Sequence, residues 1–226
     1  EMKTKRFNAL GFCPRTTGVL LDLLAQCEGV SMAELHIRFV LNLPLPALDS
    51  NSMLFLNRLE GYTFLPHTQA TRETFEWRTV TAVKSGRVPQ AFERDLGHIP
   101  GFSLNSVESV IHPSAVIAES VHIGPATWIH PNVTVSFGSR IGAGVSISRN
   151  CSIGHHCIIE NLAQINPGAH LSSDTVVKSL ATVGIGASTR QGVVIGAGSF
   201  VGAGAAVVAD VPPGVLVVGV PAKIKS

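Results

Sequence analysis

The second half of the chain carries a branched aliphatic residue at every sixth position, with one exception among seventeen. A period of six is a multiple of the two-residue repeat of a strand but not of the 3.6-residue repeat of a helix. The positions are Ile111, Ile117, Ile123, Ile129, Val135, Ile141, Ile147, Ile153, Ile159, Ile165, Leu171, Val177, Val183, Thr189, Ile195, Val201 and Val207, of which Thr189 is the exception. The pattern predicts β structure and excludes a helix for this half.

Small or slim residues stand four places after most of these aliphatic residues, as expected where strands converge on a narrow core. They include Ala115, Val121, Thr127, Val133, Ser139, Val145, Cys151, Cys157, Ala163 and Ala169. A glycine often follows the aliphatic residue directly, as Gly142 and Gly154 do, where a corner needs a residue without Cβ strain. Each hexapeptide therefore predicts one strand and one corner, and three make a coil of a parallel β-helix. Seventeen hexapeptides give nearly six coils, roughly 27 Å tall at about 4.8 Å per coil.

The first half predicts a small Rossmann-like α/β domain. Residues 7–10 form a strand, 19–26 a helix and 36–43 a second strand, which is a βαβ unit with its first loop at the carboxyl edge of a parallel sheet. Helical segments are expected near 70–77 and 89–96. We divide the chain into a small α/β domain, 1–108, and a β-helix domain, 109–226.

The loop of residues 11–18 has no GxGxxG dinucleotide fingerprint. Arg15 and Thr16, at the start of the helix, could hold a phosphate through the guanidinium, hydroxyl and backbone N–H groups. An ordinary helix cap with a solvated arginine fits the same residues equally well.

The amino-acid composition argues against nucleic acid as a partner, and the sequence pattern argues against a membrane span. A net charge of +2 with 14% charged residues provides no basic field for nucleic acid. The uncharged stretch between Arg190 and Asp210 keeps the six-residue register, which favours β-helix coils over a membrane span. No signal peptide is evident, so we expect a cytoplasmic protein, and the four cysteines are expected as free thiols.

His155 and His156 occupy one repeat, directly after the corner glycine Gly154. Adjacent residues can point to opposite sides, so one histidine at most need face a given cleft. Metal binding is a further reading, because several histidines could serve as ligands from the coils. No pair of them is spaced by the eighteen residues of a coil, and we therefore expect no metal. The candidate ligands are His122, His130, His155, His156 and His170.

Four segments carry a resemblance to known proteins. They are Ile111-His-Pro-Ser-Ala-Val-Ile117, Ser152-Ile-Gly-His-His-Cys157, Ile165-Asn-Pro-Gly-Ala169 and the ending from Asp210 to Lys223. With them the chain resembles the PglD/NeuD-like sugar acetyltransferases. The resemblance implies a small nucleotide-sugar-binding α/β domain followed by a left-handed β-helix, with acetyl-CoA as cosubstrate. It also implies a homotrimer with active sites between neighbouring prisms.

The resemblance assigns roles to individual residues. His155 takes the place of the general base, and His156 stands where the family has an acidic residue. Gln164 replaces a second family histidine near the acetyl group, and Glu160 is a nearby acid that could act electrostatically. The implied acetyl-CoA contacts are Gln164, Ser173, Ile185 and Ala203, with Pro167 below them; those to the acceptor sugar are Cys13, Arg15, Thr16 and Asn42.

The expected function is acetyl-CoA-dependent N-acetylation of a nucleotide-linked amino sugar in surface-glycan biosynthesis. Three alternatives remain open. The chain could be an O-acetyltransferase acting on a sugar or sialic acid, or an inactive β-helix scaffold, which the departures at His156 and Gln164 motivate. A γ-class carbonic anhydrase shares the β-helix and is the third.

Overall fold

The computed structural model describes residues 4–10, 17–41, 59, 61–71, 73–74, 78–81 and 103–225. The chain divides into two compact units, Glu1–Val110 and Ile111–Ser226. The first holds a parallel sheet with a helix, and the second is a parallel β-helix.

The described part of the first unit contains the strands β1 (Lys5–Leu10), β2 (Leu35–Leu41), β3 (Gly61–Pro66) and β4 (Arg78–Thr81), and the helix α1 (Thr17–Glu28). Within these residues the strands pair parallel in the order β3-β2-β1-β4. The predicted βαβ opening is confirmed, while β3 and β4 were not anticipated. The predicted end of the second strand, at residues 42 and 43, lies outside the described residues.

The segment 70–77, where a helix is expected, is described only at residues 70–71 and 73–74, and residues 73–74 belong to a 3-10 helix. Thr71 N–H donates to Thr74 Oγ1 at 3.0 Å, and Thr74 N–H donates to Thr71 O at 3.0 Å, which closes a tight turn. The Thr74 carbonyl then accepts a hydrogen bond from the buried Asn8 amide at 2.6 Å. The backbone bond between residues three apart is of the 3-10 type, and the Thr74 hydroxyl satisfies the Thr71 N–H at the start of this turn. The helix expected near 89–96 lies outside the described residues.

Short strands follow one another through the second unit at the predicted period, and residues 103–225 are described without a gap. They are β5 (Val110–Ile111), β6 (Val116–Ile117), β7 (His122–Ile123), β8 (Trp128–Ile129), β9 (Thr134–Val135), β10 (Arg140–Ile141), β11 (Ser146–Ile147), β12 (Ser152–Ile153), β13 (Ile158–Ile159), β14 (Gln164–Ile165), β15 (His170–Leu171), β16 (Val176–Val177), β17 (Thr182–Val183), β18 (Ser188–Thr189), β19 (Val194–Ile195), β20 (Phe200–Val201), β21 (Ala206–Val207), β22 (Leu216–Val218) and β23 (Lys223–Ile224). Every aliphatic position of the repeat is the second residue of a strand.

Three sheets form the walls of the β-helix. Within the described residues, one sheet has five strands (β7, β10, β13, β16, β19), one has six (β6, β9, β12, β15, β18, β21) and one has eight (β5, β8, β11, β14, β17, β20, β22, β23). Strands of successive coils pair parallel with an offset of eighteen residues, as Ser152 does with Thr134 and His170. The fold is a left-handed parallel β-helix: the six-residue period predicts the β-helix, and the family resemblance implies its left hand.

The core of the β-helix consists of the aliphatic residues and of the small residues four places later. Ile165, Ala163 and Cys157 are fully buried. Thr189 also points inward, and its hydroxyl accepts a hydrogen bond from Ser172 N–H at 3.0 Å and pairs with Thr175 Oγ1 at 2.9 Å. The one polar member of the repeat therefore has its hydrogen bonds satisfied inside the core.

The corners of the β-helix impose two requirements on the sequence: a left-handed φ at one position and the absence of a Cβ at another. From Ala126 to Gly204, every sixth residue has φ between 56° and 74°, the left-handed region. The glycine directly after the aliphatic residue has a different role from the predicted one: a Cβ at Gly154 would stand 2.5 Å from the backbone nitrogen of Ser173. Close approach of two coils thus requires glycine at that position, while the φ requirement falls two residues later.

Candidate active site

One corner of the β-helix carries the two adjacent histidines. It comprises residues 154–157, connects β12 to β13, and is named here the histidine corner. Residues 137–138 occupy the same corner one coil earlier, and residues 173–174 occupy it one coil later. Asp174 N–H donates to His155 O at 2.9 Å and joins two of these coils. Three successive coils therefore contribute to one surface cluster.

The two histidine rings of this corner converge. The Nδ1 atoms of His155 and His156 are 2.9 Å apart, which is a hydrogen-bond distance. The expectation that adjacent histidines point to opposite sides is therefore wrong here. The physical reason is the backbone of His156, whose φ of 56° turns its side chain back towards its neighbour. Since His155 is half-buried and His156 is exposed, the pair is open to a reactant.

Phe137, from the preceding coil, packs against both rings. Its ring is stacked on His155 with centroids 5.3 Å apart and meets His156 edge-on at 5.1 Å. Aromatic contacts of this kind restrict ring orientation and contribute about 0.5–1.5 kcal/mol beyond burial. The phenylalanine therefore fixes the direction of both imidazoles, and the sequence offered no signal for it except its spacing of eighteen from His155.

Asp174 brings a carboxylate to the same cluster. One atom each from His155, His156 and the Asp174 carboxylate lie within 4.8 Å of one another. The Gln191 amide donates to Asp174 Oδ2 at 2.8 Å and holds this side chain from the following coil. Sequence reasoning missed Asp174 because it compared only histidines with one another; the signal was its spacing of eighteen from His156.

The same three side chains are a set that could hold a metal ion. Imidazole nitrogens and a carboxylate suit first-row transition metals. The 2.9 Å between the Nδ1 atoms equally fits one histidine donating to the other. The cluster can therefore exchange protons without any ion.

Glu160 lies one corner beyond the histidines and is held by other partners. Lys178 Nζ donates to its Oε1 at 2.8 Å, and Ser179 N–H and Oγ donate to its Oε2 at 3.0 and 3.1 Å. The Lys178 hydrogen bond, aided by those of Ser179, lowers the pKa of the Glu160 carboxyl against the opposing effect of desolvation. This carboxylate stabilises the coil stack and is already occupied by a cation.

Gln164 lies on a different side of the prism from the histidine pair. It is the outward residue of β14 in the eight-stranded sheet, whereas the histidine corner joins the six-stranded to the five-stranded sheet. In a triangular prism a corner between two walls faces away from the third wall. A single chain therefore does not bring Gln164 and His155 together.

The remaining predicted cofactor residues fall at two corners that flank the six-stranded sheet. Ser173 is at the same corner as His155, one coil later. Pro167, Ile185 and Ala203 stack at the other corner, where Gly186 N–H donates to Pro167 O at 3.0 Å and Gly204 N–H donates to Ile185 O at 2.8 Å. Ile185 is 60% exposed, which is unusual for a large aliphatic side chain and provides an apolar surface at this corner.

A groove of about 410 Å³ lies on the five-stranded sheet. Outward residues of its strands, including His122, Arg140 and Ile158, line it together with the Glu160 side of the next corner. His155 and His156 are not among its lining residues. The groove and the histidine cluster are therefore separate features.

The predicted acceptor residues Cys13, Arg15, Thr16 and Asn42 lie outside the described residues. The strands that precede them are described: β1 ends at Leu10 and β2 at Leu41. Within the described sheet β1 stands between β2 and β4, where the strand order reverses. The carboxyl edge at such a reversal is where parallel α/β sheets commonly bind ligands.

Comparison with solved structures gives matches along the whole chain. The acetyltransferase domain of PglB from Neisseria gonorrhoeae FA1090, in complex with acetyl coenzyme A, matches at a TM-score of 0.75 with 25% identity, over 98% of this chain and 100% of that one. A histidine-to-asparagine mutant of perosamine N-acetyltransferase from Caulobacter crescentus, in complex with CoA and GDP-perosamine, matches at 0.77 with 27% identity, over 98% and 97%. WeeI from Acinetobacter baumannii AYE matches in fold at 0.73 with 21% identity, over 98% and 100%.

These matches confirm the predicted resemblance to sugar acetyltransferases built on a hexapeptide β-helix. No protein-family profile matches the chain, and no curated protein sequence does. Among the described residues, no helix combines the length and apolar character needed to cross a bilayer.

Proposed function

We propose that this acyltransferase of the left-handed β-helix type transfers the acetyl group of acetyl-CoA to the amino group of a nucleotide-linked amino sugar, in surface-glycan biosynthesis. The observation that carries the proposal is the His155–His156 pair, which stands at an exposed corner with its Nδ1 atoms 2.9 Å apart. The surrounding fold matches two sugar acetyltransferases over 98% of the chain.

The geometry supports His155 as the general base. If His155 Nδ1–H donates to His156 Nδ1, then Nε2 of His155 carries the lone pair that can accept a proton. The amino nitrogen attacks the thioester carbon while His155 takes its proton. The tetrahedral intermediate then collapses, the C–S bond breaks, and the CoA thiolate leaves and is protonated by the imidazolium. General base catalysis of this kind contributes about 10²–10⁴-fold.

The acceptor is proposed to bind the first domain, residues 1–108, through Cys13, Arg15, Thr16 and Asn42. Support comes from the reversal of strand order beside β1, because these residues follow the carboxyl ends of β1 and β2. It also comes from the Caulobacter match, which holds a GDP-linked amino sugar. Assays with a panel of nucleotide-linked amino sugars identify the nucleotide and the sugar that this chain accepts.

Acetyl-CoA is proposed to bind the second domain, residues 109–226, along Gln164, Ser173, Ile185 and Ala203, with the chain acting as a homotrimer. Gln164 faces away from the histidine corner of its own chain. A neighbouring prism is therefore needed if a glutamine amide and His155 are to serve one thioester. Sedimentation of the purified protein as a monomer would contradict this arrangement.

Purified protein is assayed with acetyl-CoA and a panel of acceptors: UDP-, dTDP- and GDP-linked 4-amino sugars, and sialic acid as the hydroxyl acceptor. We expect turnover of an amine acceptor, and a fall of about 10²–10⁴-fold in kcat for His155→Ala. His112→Ala, which changes a half-buried histidine of the first coil, is the control and should keep wild-type activity. Turnover of sialic acid alone would identify an O-acetyltransferase. Acetyl-CoA binding without any turnover would identify a scaffold.

A further inference from the structure

We infer that Asp174 is the positioning residue that supports His155 during catalysis, in place of an acid directly after His155 in the chain. The inference rests on the proposed function. The chain has His156 at the position directly after the base, and a histidine cannot supply the negative charge of a carboxylate there. The structure places a carboxylate beside the pair from the next coil instead.

Two hydrogen bonds hold Asp174 where this role requires it. Its backbone N–H donates to His155 O at 2.9 Å, so its Cα is tied to the coil that carries the base. Its Oδ2 accepts from the Gln191 amide at 2.8 Å, which restrains the carboxylate. One of its ligand atoms lies within 4.8 Å of a ring nitrogen of each histidine. The φ of 62° at Asp174 turns its side chain in the same way as that of His156 one coil earlier.

The Asp174 carboxylate can stabilise the positive charge that forms on His155 during proton transfer. A histidine acts as a base through its neutral imidazole, and Asp174 supplies the one carboxylate among the three side chains. When His155 takes the acceptor proton, a positive charge forms on a ring that donates to His156. An opposite charge within roughly 4–6 Å favours the charged form of such a group by a factor of about 10 to 1000. Asp174 thus stabilises the imidazolium while touching neither substrate.

Other carboxylates near this corner have different partners. Glu160 is paired with Lys178 and Ser179. Asp210 lies in the last coil, directly before Val211, which pairs with Ile195 of β19. Its Oδ1 accepts from Val194 N–H at 2.9 Å, so this carboxylate is bound to β19.

The test compares Asp174→Asn with Asp210→Asn, a control that makes the same chemical change in the last coil, using steady-state kinetics with the acceptor identified in the panel. Asparagine tolerates the left-handed φ of residue 174, so the substitution removes the charge with little backbone strain. We expect kcat to fall about 10- to 100-fold in Asp174→Asn, with the KM for acetyl-CoA unchanged. Asp210→Asn should keep the wild-type kcat.

A double variant separates charge from mere structure. His156→Asp combined with Asp174→Asn moves the acid to the position after His155, where a carboxylate can accept its Nδ1–H directly. We expect this variant to recover at least part of the kcat lost in Asp174→Asn. Three results with an active wild-type enzyme would overturn the inference. They are an Asp174→Asn variant that is as active as the wild type, one that loses only acetyl-CoA affinity, and one whose kcat the relocated acid does not rescue. A wild type that acetylates no acceptor would overturn the proposed function with it.

Discussion

The imidazole of His156 lies directly against Gly138, the residue eighteen positions earlier. A Cβ built on Gly138 would stand 2.7 Å from His156 Cδ2 and 2.9 Å from its Nε2. Gly138 has a φ of 70°, so its place in the coil already favours glycine for backbone reasons. The missing side chain therefore serves two purposes: it permits the turn, and it leaves the space into which the His156 ring folds back towards His155.

Gly138→Ala is expected to displace the His156 ring and to lower kcat. Gly192→Ala is the matched control, because Gly192 stands at the same corner three coils later with a φ of 74° and nothing within 4 Å of its added Cβ. Both variants should lose a similar stability, about 1 kcal/mol, from placing alanine in the left-handed region. Only Gly138→Ala should lose activity. Equal kcat values in the two variants would show that the orientation of His156 is unimportant.

Phe137→Leu is expected to reduce kcat by roughly 2- to 10-fold, the equivalent of an aromatic contact of about 0.5–1.5 kcal/mol. The phenylalanine ring restrains both histidines, whereas leucine would fill part of the same volume without a ring face. Phe200→Leu, at an exposed phenylalanine of β20, is the control and should leave kcat unchanged. Measuring kcat and thermal stability together separates loss of orientation from loss of folding.

Thr189→Val is expected to destabilise the β-helix although it restores an aliphatic residue to the repeat. Valine would leave Ser172 N–H without its acceptor and remove the partner of Thr175 Oγ1. An unsatisfied buried group of this kind costs about 1–3 kcal/mol. Thr134→Val, on the exposed side of β9, should change the unfolding free energy by less than about 0.5 kcal/mol. Urea unfolding of both variants gives the comparison, and a stabilised Thr189→Val would contradict the hydrogen-bond argument.

Removal of the Glu160 carboxylate should make stability depend less on pH in the acid range. The pKa of Glu160 is lowered in the folded state, chiefly by the Lys178 hydrogen bond, so the unfolded chain binds its proton more readily. The stabilisation is present above the unfolded carboxyl pKa of about 4.3 and is lost as pH falls through the lower folded value. The difference in unfolding free energy between wild type and Glu160→Gln should therefore shrink as the pH is lowered below about 4.3. Glu119→Gln, at an exposed carboxylate of an earlier coil, is the control, and a difference that grows on acidification would refute the assignment.

The sequence predicted the β-helix well because its core repeats. Each aliphatic residue of the repeat, from Ile111 to Val207, is the second residue of a strand, and from Ile129 onward these side chains are buried with the small residues four places later. With a strict six-residue period, only one pairing register of the strands buries all of these aliphatic side chains. Thr189 stayed in register because Thr175 and Ser172 satisfy its hydroxyl inside the core.

The site was only partly predictable. His155 and His156 were found from a local motif, but the hydrophobic pattern carries no information on the left-handed φ that turns the His156 ring towards its neighbour. Phe137 and Asp174 are distant along the chain, and they become neighbours only through the offset of eighteen residues. In the first unit, Asn8 and the Thr74 carbonyl are likewise distant along the chain and become hydrogen-bond partners only in the folded state.

The eighteen-residue offset gives every corner residue two sets of close neighbours, one along the chain and one across coils about 4.8 Å away. An acidic residue can therefore lie either next to a catalytic residue along the chain or one coil away from it, at a similar distance from that catalytic residue. Single substitutions in separate coils can move an acid from one set to the other without any insertion or deletion. In such a protein a catalytic pair is defined by its position on the stack, and motifs that require adjacent residues will overlook chains in which one partner has changed coil.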